Sequence, residues 1–115
     1  KFEHKAVLIN VNRMATEREN IYEAVRHAWK LDPKKASKAE IVLAVKQGTI
    51  IGVFTAREWL PATMKNFPNA ITDLPKRWGF VGNEASEEVA KKYLRHRIPD
   101  SMRKRGASNH IRYSF

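Results

Sequence analysis

Apolar residues in this chain come in short runs, separated by charged or turn-forming stretches. Segment 6–12 (AVLINVN) is β-branched and partly alternating, so it reads as a strand with Val7, Ile9 and Val11 on one face. Thr16 and Glu19 then match a capping box, with the Thr16 hydroxyl as N-cap and Glu19 reaching back. The following helix would place Ile21, Ala24, Val25, Ala28 and Trp29 on one stripe, and would end near Leu31 because Pro33 disfavours helical geometry at Asp32. Segment 34–38 is a basic loop of small residues.

The clearest strands are 41–46 (IVLAVK) and 49–56 (TIIGVFTA). Gln47-Gly48 between them suits a two-residue primed hairpin turn. Gly52, inside the second strand, points to a bulge or a close backbone approach. Segment 60–74, with Pro61 and Pro68 inside and Pro75 just beyond, reads as an irregular excursion. A short strand follows at 77–81 (RWGFV). Ser86 then caps a helix with Glu87 and Glu88 in its first turn and Val89, Ala90, Tyr93 and Leu94 inward. Pro99 closes that region, a short turn is expected at 100–103, and a last strand lies near 111–115. Five strands with two or three helices, not regularly alternating, predict an α+β fold. The expected architecture is a small mixed, mostly antiparallel β-barrel with flanking helices.

The 115 residues fit one domain, 1–115, with a continuous apolar core, and 43% hydrophobic residues argue against disorder. No cysteine is present, which excludes disulfides and thiolate zinc sites and suits a reducing, cytoplasmic setting. The apolar runs are too short to cross a bilayer, so no membrane association is expected. Charge adds most to the picture. Lys and Arg number 22 against 12 Asp and Glu, a net +10. The last 25 residues hold eight of the cations (Lys91, Lys92, Arg95, Arg97, Arg103, Lys104, Arg105, Arg112) against Asp100 alone, a local +7 that leaves +3 for the first 90. Such clustering is the footprint of a phosphate-binding surface, and the bland alternative is a solvated, solubilising tail.

Each tryptophan stands near cations: Trp29 near Arg26 and Lys30, Trp59 near Arg57, Trp78 beside Lys76 and Arg77. An aromatic face stacks on an unpaired base while Arg or Lys holds the phosphate. The competing reading places tryptophans in the core, and Trp29, on a helical stripe, fits that best. Trp59 and Trp78 adjoin turns and are favoured for contact. Segment 95–105 (RHRIPDSMRKR) is the strongest phosphate patch, with Arg95, Arg97, Arg103, Lys104 and Arg105 fanning outward. Asn109 either touches a base edge or closes a turn.

Catalytic signals are weak. His4, His27, His96 and His110 are scattered without metal-ligand spacing, and neither GxxxxGK[ST] nor GxGxxG occurs, so no metal, cofactor or catalytic residue is expected. Glu40, Glu58, Asp73 and Glu84 are the acids outside helix caps, and Glu58 beside Trp59 is the one a hydrolase or nuclease would use.

The run IVLAVKQGTIIGVF, the following Trp59, RWGFVGNEA and the terminal GASNHIRY together resemble PUA-like small β-barrels, in particular the ASCH and EVE groups and their YTH relatives. The likeness covers segment 6–115. It implies a barrel whose cleft recognises RNA, or DNA with a modified base, through an aromatic pocket that Trp29, Trp59 and Trp78 would supply. Some ASCH members are amidohydrolases of modified nucleosides, but their Gly-x-Lys signature is not evident. The expected function is therefore a nucleic-acid-binding module. The alternatives are a small hydrolase or nuclease on nucleic-acid or nucleoside substrates, and an adaptor for an acidic protein. Oligomeric state is not legible.

Overall fold

Residues 2–11, 21–102 and 110–115 are described by a computed structural model, and they build one five-stranded sheet flanked by short helices. Strands β1 (Ala6–Asn10), β2 (Ile41–Lys46), β3 (Thr49–Ala62), β4 (Leu74–Glu84) and β5 (Ile111–Tyr113) lie in the order β4-β3-β2-β1-β5. The β1–β2 pair is parallel and the other three pairs are antiparallel. The sheet is mixed and mostly antiparallel, as expected. It is open, with β4 and β5 at its two edges.

β1 and β2 are buried on both faces, which explains their nearly unbroken apolar sequences. Val7, Ile9 and Val11 face one core with Val25, Val42, Phe54, Phe80 and Ile111. Ala6, Leu8, Ile41, Leu43 and Ile50 face the other, with Tyr93 and Ile98. The Gln47-Gly48 turn has φ of 51° and 80°, the pair of positive values that a type I′ hairpin needs. The bulge expected at Gly52 is present: Ala44 pairs with Gly52 and Val45 with Ile50, leaving Ile51 extra.

The first helix ends earlier than its pattern predicts. Helix α1 (Ile21–Val25) stops at Val25 rather than near Leu31. Beyond it the chain leaves helical geometry, because the backbone of residues 26–29 pairs with the outer edge of β4. The Phe80 amide donates to the Arg26 carbonyl, and Trp29 and Trp78 exchange both backbone hydrogen bonds at 2.8 Å. Tertiary pairing overrides helical propensity here. Tyr22 locks the arrangement, its hydroxyl accepting from the Gly82 amide at 3.0 Å and donating to the Gly82 carbonyl at 3.1 Å. The capping box at Thr16 and Glu19 lies outside the described residues.

Pro33 begins a helix as well as ending the previous pattern. It occupies the first turn of α2 (Pro33–Ala36), with Asp32 as N-cap accepting from the Lys34 amide at 2.9 Å, where a loop was expected. The third helix, α3 (Glu87–Ala90), is capped by Ser86 as expected, but it stops after one turn. Tyr93 is buried while Leu94 is 37% exposed, because Arg95 adopts a positive φ of 70° and turns the chain away. A 3-10 turn at Asp100–Met102 takes the place expected for a short turn.

Candidate nucleic-acid interface

The three tryptophans are brought together by the long β3–β4 hairpin. Both strands run further than their sequences suggest, since β3 continues through Arg57, Glu58 and Pro61. Pro61 is tolerated because its partner Trp78 directs both its N–H and its C=O outward to Trp29, so the ladder asks Pro61 for no donor. A register shift between Ala56 and Glu58 leaves Arg57 as an extra residue. This bulge puts Trp59, not Glu58, on the face of Phe54 and Ala56, where its ring packs 5.1 Å from that of Phe80. Trp78 lies two residues from Phe80 along β4 and shares its face. Trp59, Trp78 and Trp29 therefore stand in sequence across three neighbouring backbone segments. Diagonal neighbours of the Trp59–Trp78 kind are about 7–8 Å apart.

Their surroundings differ. The Trp29 indole donates to the Val25 carbonyl at 2.8 Å and its ring meets that of His110 at 5.9 Å, so it is half-buried and internally satisfied. Because His110 precedes β5, this contact reaches from the β4 edge toward the opposite edge of the sheet. The Trp59 indole N–H is shielded from solvent and finds no acceptor among the described residues. A shielded donor without a partner costs about 1–3 kcal/mol. Trp78 is half-buried.

The cations divide into two groups. Arg57 is exposed at the bulge and Arg77 half-buried beside Trp78, and neither makes an ion pair among the described residues. Arg26 is committed internally. Its guanidinium lies 4.7 Å from the Tyr22 ring centre and 5.0 Å from that of Phe67, and it donates to the Phe80 carbonyl and to Glu23. Arg95 and Arg97 sit elsewhere, at the start of β3. The Arg95 amide donates to the Ile50 carbonyl at 2.7 Å, and the Arg97 guanidinium to the Thr49 hydroxyl at 3.4 Å. Thr49 and Trp59 are ten residues apart on one strand, or up to about 30 Å. Thus Trp29, Arg57, Trp59, Arg77 and Trp78 gather at one end of the hairpin, and Arg95 and Arg97 at the other. Arg103, Lys104, Arg105 and Asn109 lie outside the described residues.

Sequence reasoning missed the supports of this site. His27 packs 5.1 Å from Phe67, its Nε2 shielded and without a partner among the described residues. Burial, and secondarily the Arg26 charge, holds its pKa below the usual histidine value. The four-residue spacing of Tyr22 and Arg26 on a helix was the available signal for their stacking. Phe67, alone in a proline-rich loop, carried none. The acids considered for catalysis remain apart: Glu40 accepts from the Lys5 amide, Asp73 from the Met64 amide, and Glu58 and Glu84 are exposed on different strands. No group of His, Asp and Glu suited to a metal ion occurs among the described residues, and no helix there is long and apolar enough to cross a membrane.

No family model, curated protein or solved structure matches the chain.

Proposed function

We propose that the chain is a nucleic-acid-binding module of the PUA-like class, in which an unpaired base stacks on Trp59 and Trp78 while Arg57 and Arg77 hold its backbone. The observation that carries this reading is the Trp59 indole N–H, held in an aromatic cluster with no acceptor among the described residues. Base carbonyls and ring nitrogens are such acceptors, and a base adds a π-face for stacking. The net charge of +10 supports a polyanionic ligand. The PUA-like assignment draws support from the segment at residues 26–29, which extends the sheet past β4 while Trp29 reaches His110, as a barrel-like curl would require. Arg95 and Arg97 would join only on a ligand long enough to reach them.

Titration of tryptophan fluorescence with single-stranded oligonucleotides, at two salt concentrations, tests the proposal. Quenching should weaken with salt, and Arg57→Ala should lower the log–log salt slope by about 0.7. Trp59→Phe should weaken binding about tenfold. Unchanged fluorescence at low salt with every oligonucleotide would defeat the reading.

A further inference from the structure

The loop joining β3 to β4, residues 63–73, holds apolar side chains out in solvent on a well-anchored frame. Ile71 is 96% exposed, Met64 46% and Leu74, at the start of β4, 38%; three of the five exposed large hydrophobic residues among those described belong to this one tip. The frame is specific. Asp73 accepts from the Met64 amide at 2.6 Å, and the Asn66 side chain donates to the Pro61 carbonyl at 2.9 Å. Phe67 is buried beneath the loop against Arg26 and His27, and its amide and carbonyl both close turns. A loop that buries Phe67 as its anchor has no internal use for Ile71. Cations flank the tip: Lys65 beside Met64, and Lys76 and Arg77 just beyond Leu74.

We infer that this tip is a wedge for double-stranded nucleic acid, with Ile71 entering a base step while Lys65 and Lys76 contact the adjoining phosphates. The inference rests on the base-binding reading above and deepens it by naming a duplex as substrate. A base inside a duplex reaches Trp59 and Trp78 only after unstacking, which costs a few kcal/mol, and apolar wedges are one way that cost is met. Trp59 and Trp78 lie on the two strands that carry the tip, four and five residues from its ends. Charge complementarity favours the polyanion over an apolar protein partner.

The test uses a short duplex with pyrrolocytosine at its centre, a base that brightens on unstacking, and the matching single strand. Native protein should brighten the duplex. Ile71→Ser should abolish that signal and weaken duplex binding about tenfold, leaving single-strand affinity within twofold, whereas Ile71→Leu should preserve both. An unchanged duplex signal in Ile71→Ser, or equal loss on duplex and single strand, overturns the wedge while the base-binding reading stands. Ile71→Ser that instead loses binding to phosphatidylserine vesicles, with duplex brightening intact, assigns the tip to membranes and also overturns it. Failure of the native protein to bind either nucleic acid removes the underlying reading itself.

Discussion

The β1–β2 pair and the outer half of the β3–β4 hairpin belong to one sheet but are built on opposite terms. β1 and β2 are short, unbulged where they pair with one another, and bury aliphatic side chains on both faces. The outer hairpin is long, carries register shifts at Arg57 and near Pro61, and is packed by aromatic rings from one side and edge segments from the other. The first region has every reason to be rigid. The second, with the segment that flanks it, holds two shielded polar atoms without partners among the described residues, at Trp59 and at His27. Burial on both faces is concentrated in the central strands, and unmet hydrogen-bonding capacity among the described residues lies where the aromatic rings gather.

That contrast breaks first, and by most, in the central strands. Leu43→Ala, at a fully buried position, should cost about 2–5 kcal/mol in denaturant unfolding, whereas Trp78→Phe should cost well under half as much. Next comes Gly82→Ala. Its Cβ would run into the Thr55 carbonyl, so β3 and β4 must separate, at a cost of about 1–3 kcal/mol seen in the same experiment. Leu43→Ala with the milder effect of the two would mean that the hairpin, not the central pair, holds the fold together.

Smaller effects sharpen the comparison. Because burial holds His27 below its unfolded pKa, the unfolded chain binds its proton first as the solution is acidified. Stability from this group is fully present above about pH 6.5 and declines as pH falls toward the folded value. The melting temperature should drop over that window, and His27→Gln should flatten the slope. Smallest of all, Lys92→Ala removes the exposed pairing with Glu3 and should leave the melting temperature unchanged within error.

The central strands were legible because double burial writes a continuous apolar run. Residues 41–46 and the Gln47-Gly48 turn are located to the residue, and Gly52 marks a true bulge. The outer hairpin was not legible in the same way. Arg57, Glu58 and Pro61 read as the end of a strand, yet β3 continues through them because the bulge and the outward-directed backbone of Trp78 relieve each of its conflicts. The helix at residues 21–29 failed for a related reason: its apolar stripe does meet the core, but the hydrogen-bonding partner of its second half is β4, fifty residues away. For the candidate site, proximity of tryptophan to cations picked out Arg57, Trp59, Arg77 and Trp78, which the fold brings to one end of the hairpin. The clustering of Arg95 and Arg97 in sequence said nothing of their distance from Trp59, which depends on how strand β3 is threaded between them.

The backbone of residues 26–29 along the outer margin of β4 carries one more consequence, for the life of the chain before it is folded. Without that segment, β4 offers a row of unsatisfied amides and carbonyls to any neighbouring molecule. The hairpin is local while its cover lies some fifty residues upstream, so any chain in which the hairpin closes first would carry one sticky border during refolding. Substitutions that loosen this cover would show themselves less in the melting curve than in turbidity and yield during refolding at high concentration.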